Sequence, residues 1–193
     1  MPATYYYSSS LSYPWLPPDS QPLTCGGLYY VVPGMRLIPQ DKTMSCWFAS
    51  AQMIIEWRRW SGKGGLALFR ADPSQIAEWK KLYTDNAGMS NSKILAFARD
   101  LSLGTIPPMS PSVGALKGWL MRYGPLWVNG VRHITVIAGI RDWMGEVQVL
   151  VFDPARPQNT SGDWRSLSLW YAGDIWSGRD SSAGVQTVFL YAP

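Results

Sequence analysis

A single histidine, two cysteines and only 16% charged residues leave this chain few ways to do chemistry. One histidine excludes a site built from several imidazoles. The two cysteines, Cys25 and Cys46, lack the paired C-x-x-C spacing of a zinc centre, so no metal or other cofactor is implied. Two cysteines also do not make a disulfide scaffold. No apolar run approaches the roughly 18–20 residues that cross a bilayer, so no membrane span is expected. No Lys or Arg precedes Arg36, and the basic start of a signal peptide is missing. Secretion or delivery into a target cell would need another route or a trimmed signal; otherwise the protein is expected in the cytoplasm. The net charge of +4 is small. Arg58, Arg59, Lys63, Lys80, Lys81 and Arg156 are scattered rather than gathered on one stripe, which speaks against a nucleic-acid reader.

Hydrophobic residues reach 47% of the 193, enough for one core-forming domain. Residues 1–28 stand apart. They hold Tyr5, Tyr6, Tyr7, a serine run and five prolines (Pro2, Pro14, Pro17, Pro18, Pro22). Proline fixes φ and removes a donor, so neither a helix nor a central strand is expected there. This stretch reads as an extended arm or linker, and 29–193 as the folded domain.

Within the domain, Tyr29 to Val32 reads as a short strand turned by Pro33 and Gly34. A helix is expected from Cys46, with Trp47, Phe48, Ala51, Ile54 and Ile55 making its first turns apolar on most sides. Charged residues enter only at Glu56, Arg58 and Arg59. Such a helix starts buried and emerges at its far end. Gly62, Gly64 and Gly65 stop it. Helical spacing predicts further helices at about 74–83, near 91–102, and from Ser112 through Leu120. After Gly124 and Pro125 the pattern changes to strands at 126–128, 133–140, 147–152 and 185–191. Gly139 reads as a point of close backbone approach. A helical front half followed by an antiparallel back half is an α+β pattern.

Cys46 is the residue on which chemistry can be built. A buried thiol is often inert packing, but this one opens a helix, where the dipole and the free N–H groups favour a thiolate. Gln40, six residues earlier across a loop, carries an amide suited to donating to an oxyanion, and the Cys46 N–H is a second donor. His133 is the only imidazole available as a base.

Gln40, Cys46-Trp47 and Phe48-Ala49-Ser50 resemble the active-site segment of papain-like cysteine proteases, in which a glutamine precedes the cysteine at this distance and a tryptophan follows it. His133, opening a strand of β-branched residues, fits the family's base. Asp153, in Phe152-Asp153-Pro154, fits its third, orienting residue. The short separation of Cys46 from His133 is similar to the compact bacterial branch of avirulence-type effectors, leader-cleaving domains and papain-fold toxins. The match covers residues 35–155; residues 1–30 and 156–193 match nothing in the family pattern.

The resemblance implies a papain-like fold with its catalytic helix against an antiparallel sheet. It implies amide hydrolysis by Cys46, His133 and Asp153, with Gln40 in the oxyanion hole. Asp142, nearer to His133 in sequence, is the rival third residue. Trp47, Trp127 and Trp143 are candidate substrate contacts, with core or surface packing as the competing reading. Cys25, in a turn before Gly26, has no upstream glutamine and no buried helix after it and reads as non-catalytic; a bridge to Cys46 would block the nucleophile and is not expected. The expected substrate is a protein. A 28-residue arm is too short for an inhibitory propeptide, so control is expected from secretion, activation in the target or a cognate immunity protein. The same site also suits a peptidoglycan amidase, a glutamine deamidase or a transglutaminase-like acyltransferase, and the fold alone suits a non-catalytic binding module.

Overall fold

The computed structural model describes residues 27–62, 73–107, 111–130, 133–172 and 188–193. The first 26 residues, with Cys25 and nearly all of the expected arm, lie outside the described residues, as do Gly64, Gly65 and residues 185–187.

Helix α1 runs from Cys46 to Ser61 and is buried from Cys46 through Ala51, then at Met53, Ile54, Ile55 and Trp57. Exposure begins where the sequence turns charged, at Arg58 and Arg59. Gly62, at φ +65°, ends the helix in the left-handed conformation that glycine adopts without strain. Near its far end, the Trp57 indole N–H donates to the Pro33 carbonyl at 2.9 Å, and its ring lies against Gly124. A Cβ at Gly124 would sit 2.1 Å from that ring, and the residue has φ +86°. Both observations require glycine there.

Three helices complete the front half: α2 (Ala77–Thr84), α3 (Ile94–Asp100) and α4 (Val113–Tyr123). The expected helix at 74–83 is a short 3-10 turn at Pro73–Gln75 followed by α2. The one near 91–102 is a 3-10 turn at Asn91–Lys93 followed by α3. Ser112 caps α4, its hydroxyl accepting from the Ala115 N–H at 3.2 Å.

Seven strands among the described residues form one antiparallel sheet: β1 (Tyr29–Val31), β2 (Gly104–Ile106), β3 (Leu126–Asn129), β4 (Ile134–Trp143), β5 (Glu146–Phe152), β6 (Asp163–Ser166) and β7 (Phe189–Tyr191). Their order is β2-β7-β3-β4-β5-β6, with β1 beside the later part of β4. Gly139 marks an irregularity in the β4–β5 register. A Cβ there would meet the Tyr30 carbonyl at 3.0 Å and Leu150 at 3.1 Å, so its lack of a side chain admits β1. The helical front, the sheet behind it and α1 packed on β3 and β4 make the α+β architecture that the sequence pattern predicts.

The sequence pattern does not reveal β2, β6 or a final helix, α5 (Leu167–Ala172). Strand β2 spans three residues, too few for a period to register. Strand β6 reads Asp163-Trp164-Arg165-Ser166 and lacks the apolar alternation of a half-buried strand. Two of its charged side chains are directed at the end of β5.

Candidate active site

Antiparallel pairing brings the key residues to one end of the sheet. Val136 on β4 lies opposite Phe152 on β5, so His133, just before β4, and Asp153, just after β5, are neighbours. The His133 Nε2 and the Asp153 Oδ1 are 2.6 Å apart. Cys46, at the tip of α1, lies near enough to the same imidazole to act on its charge. With Nε2 on the carboxylate, the ring nitrogen left for the sulfur is Nδ1. Ser50, one turn into α1 and fully buried, donates its hydroxyl to the Ile134 carbonyl at 3.2 Å. That bond ties the helix tip to the start of the histidine's strand. Ser50→Ala is expected to cost roughly 0.5–1.5 kcal/mol and to lower the rate of Cys46 alkylation. Chemical unfolding and iodoacetamide labelling check the two effects separately.

The electrostatics favour charged partners. Burial alone would push the His133 imidazole down, but its hydrogen bonds and charge interactions with Asp153 and Cys46 outweigh that and raise it to about 10. Burial would likewise raise the Asp153 carboxyl. The bond and charge of His133, the Ala155 N–H and Arg165 hold it well below the usual carboxylate range instead. The Ala155 N–H donates to Oδ1 at 3.0 Å. Arg165 donates to Oδ2 at 3.1 Å, with the Arg156 Nε 3.5 Å from the same oxygen.

The loop before Cys46 is built to leave the helix tip open. Ser45 precedes α1 but makes no side-chain cap. Its hydroxyl donates instead to the Asp41 carboxylate at 3.2 Å and accepts from the Lys42 N–H at 3.1 Å. The first N–H groups of the helix are thereby left without a side-chain acceptor, which suits a developing oxyanion. The Gln40 N–H donates to the Pro154 carbonyl at 2.9 Å, joining this loop to the residue after Asp153. The Gln40 Nε2 donates to the carbonyls of Lys42 at 2.9 Å and Thr43 at 3.1 Å, and its Oε1 is buried without a partner among the described residues. The end of α2 grips the same loop. Asn86, at φ +51°, accepts from the Met44 N–H at 3.0 Å and donates to the Thr43 hydroxyl at 2.8 Å, while the Tyr83 hydroxyl donates to Asp41.

Other sequence candidates fall elsewhere. Asp142 sits at the far end of the ten-residue β4, where its carboxylate accepts from the Gly145 N–H at 2.9 Å in the hairpin turn. Nine strand steps, at about 3.3 Å each, separate it from His133. Trp47 and Trp127 are fully buried and offer a substrate no surface. The Trp127 indole donates to the Trp47 carbonyl at 3.2 Å, and the Trp47 indole to the Ala87 carbonyl at 3.1 Å. Core packing, the competing reading in the sequence, accounts for both. Trp143 is 52% exposed, stacked on Arg141 near the β4–β5 turn, away from Cys46. Ser50, Asn86 and Arg165 went unassigned in the sequence. Ser50 lay inside the recognised segment, but its acceptor is 84 residues away. Neither Asn86 nor Arg165 belongs to a motif that singles it out in the sequence. Among the described residues no cluster of His, Cys, Asp and Glu has the arrangement of a metal site.

A cysteine at a helix tip, an imidazole held by a carboxylate, and an α+β fold with the helix on the sheet are the arrangement expected of the papain-like class. A family model described as the papain-like cysteine protease AvrRpt2 matches residues 31–171, and the chain belongs to that family. The match extends past Ala155 to include β6, which the motif resemblance left out. Among solved structures, UfSP from C. elegans is similar with a TM-score of 0.57 at 18% identity, covering 91% of this chain and 35% of that one. The likeness is one of fold, and this chain spans about a third of that protein's length. No curated protein matches the chain.

Proposed function

We propose that this protease hydrolyses peptide bonds of a specific protein target through Cys46, His133 and Asp153, as a secreted bacterial effector or toxin held in check by a cognate immunity protein. The observation that carries the catalytic part is the placement of one buried imidazole between the Asp153 carboxylate, 2.6 Å away, and the nearby Cys46 at the helix tip. His133 takes the Cys46 proton, and the thiolate attacks the scissile carbonyl carbon, forming the C–S bond as the C=O electrons move to oxygen. The Cys46 N–H and the Gln40 Nε2 hold that oxygen, the amide releasing a loop carbonyl to do so. His133 then protonates the departing amine, and water, with His133 as base, clears the acyl-enzyme. Asp153 keeps the Nε2–H oriented and stabilises the imidazolium. The effector role is supported by the family alone.

Asp153→Asn is expected to lower turnover less than loss of His133 does, because an amide still accepts from Nε2–H; Asp142→Asn is expected to leave turnover unchanged. Steady-state kinetics on both variants decides between the two carboxylates. The substrate class is tested by incubating the wild type and Cys46→Ala with a protein panel and with purified peptidoglycan, read by mass spectrometry. Cleaved proteins that remain intact with Cys46→Ala are expected. Released muropeptides with every protein intact would replace this reading by an amidase.

A further inference from the structure

The Asp153 carboxylate does not face His133 alone. Its Oδ1 accepts from the imidazole and from the Ala155 N–H, and its Oδ2 from Arg165 at 3.1 Å. Arg165 projects from β6, and its side chain is 10% exposed. It lies 3.7 Å from Asp163, which also accepts from Asn159 at 2.5 Å and from Arg156 at 3.4 Å. Among the described residues, the titratable and charged groups linked to the imidazole, directly or through Asp153 and Arg165, are Cys46 from α1, Asp153 and Arg156 from the end of β5, and Asp163 and Arg165 from β6.

We propose that Arg165 is a positioning residue of this protease that acts through Asp153, drawing part of the carboxylate's charge away from His133, and that Asp163 offsets how much of the guanidinium charge reaches the site. The inference rests on the Cys46–His133–Asp153 assignment. It goes beyond that assignment by placing β6, outside the triad, in control of the charge on the imidazole. The two residues act with opposite sign. Removing the Arg165 cation leaves Asp153 more fully negative toward the imidazolium and stabilises it. Removing the Asp163 anion leaves more of the Arg156 and Arg165 charge bearing on the ring and destabilises the imidazolium.

Because His133 is the only histidine, its ring resonances report its titration directly by NMR in the full chain. Arg165→Gln is expected to move the His133 titration upward by about one pH unit, Asp163→Asn to move it downward by a comparable amount, and Arg165→Lys to restore the wild-type position. A purely structural role for β6 would lower the thermal midpoint in all three without opposite shifts. If Arg165→Gln does not fold, Asp163→Asn alone carries the sign. A titration that Asp153→Asn moves but Asp163→Asn and Arg165→Gln leave in place overturns the role of Arg165 and keeps the triad. One that Asp153→Asn also leaves in place overturns the triad assignment itself.

Discussion

Cys46→Ala is expected to lower peptide hydrolysis by about four to six orders of magnitude, His133→Ala by a similar factor, and the double variant by no more than either alone. The reasoning is mechanistic. Without His133 the thiol has no base at its side, and without Cys46 the imidazole has nothing to activate, so each loss removes the same step. Kinetics of the three variants on one cleaved protein checks this. Losses that multiply in the double variant would mean that the two residues act independently. Cys46→Ala removes a single sulfur from a position 8% exposed, so its thermal unfolding should remain close to that of the wild type. The lost activity then reports chemistry rather than folding.

The second large effect is on stability. Trp47 stands next to the nucleophile, yet its ring is fully buried, edge-on to Phe97 at 5.5 Å and to Phe48 at 5.6 Å. Its indole N–H is bonded to the Ala87 carbonyl. Trp47→Ala is expected to cost about 3–5 kcal/mol, a large share of the roughly 5–15 kcal/mol that keeps a domain folded. It leaves a cavity and an unmet carbonyl beneath the catalytic helix. Trp143→Ala, at the exposed end of β4, should stay within about 0.5 kcal/mol. Denaturant unfolding of the two variants separates the readings these tryptophans received from sequence. A small loss at Trp47 with a large rise in KM would return it to the substrate cleft.

The contrast between these tryptophans shows where sequence reading works and where it stops. The helix at Cys46 was legible because its apolar residues crowd the first turns and Gly62 ends it. The strands at Leu126, Ile134 and Glu146 were legible because their alternation and length are ordinary. The order Gln40, Cys46, His133, Asp153 stands out in the sequence through its resemblance to a family segment and because the chain has one histidine. What could not be read depends on partners distant in sequence. Trp127 alternates like any strand residue, and only the fold shows that its ring points to the back of α1. Asp142 is nearer to His133 along the chain, but an extended strand carries proximity away at every step. Arg165 sits in a four-residue strand of mixed polarity, and its meaning comes from Asp153, twelve residues earlier.

The same distinction applies to the loop before the nucleophile. Gln40 and Cys46 stand at a recognisable spacing. The hydroxyl of Ser45 bonds within its own loop, while Asn86 and Tyr83 reach that loop from 42 or 43 residues along the chain, and no spacing encodes either. Together they leave the helix tip without a side-chain cap, with the Gln40 backbone fastened to Pro154. The nucleophile's loop and the residue following Asp153 are therefore held against each other, which is what a two-sided site on one end of a sheet requires.

The pH dependence of Cys46 alkylation tests the ion pair most directly. An ordinary thiol titrates near 8.5 and reacts slowly below pH 7. The His133 ring near Cys46, raised to about 10, is a cation over that range. Iodoacetamide labelling at pH 6, resolved by peptide mass spectrometry, should modify Cys46 at least about tenfold faster than Cys25, and His133→Ala should abolish that excess. Equal labelling of the two cysteines in the folded wild type, or an excess that survives His133→Ala, would contradict the pairing of sulfur and imidazole.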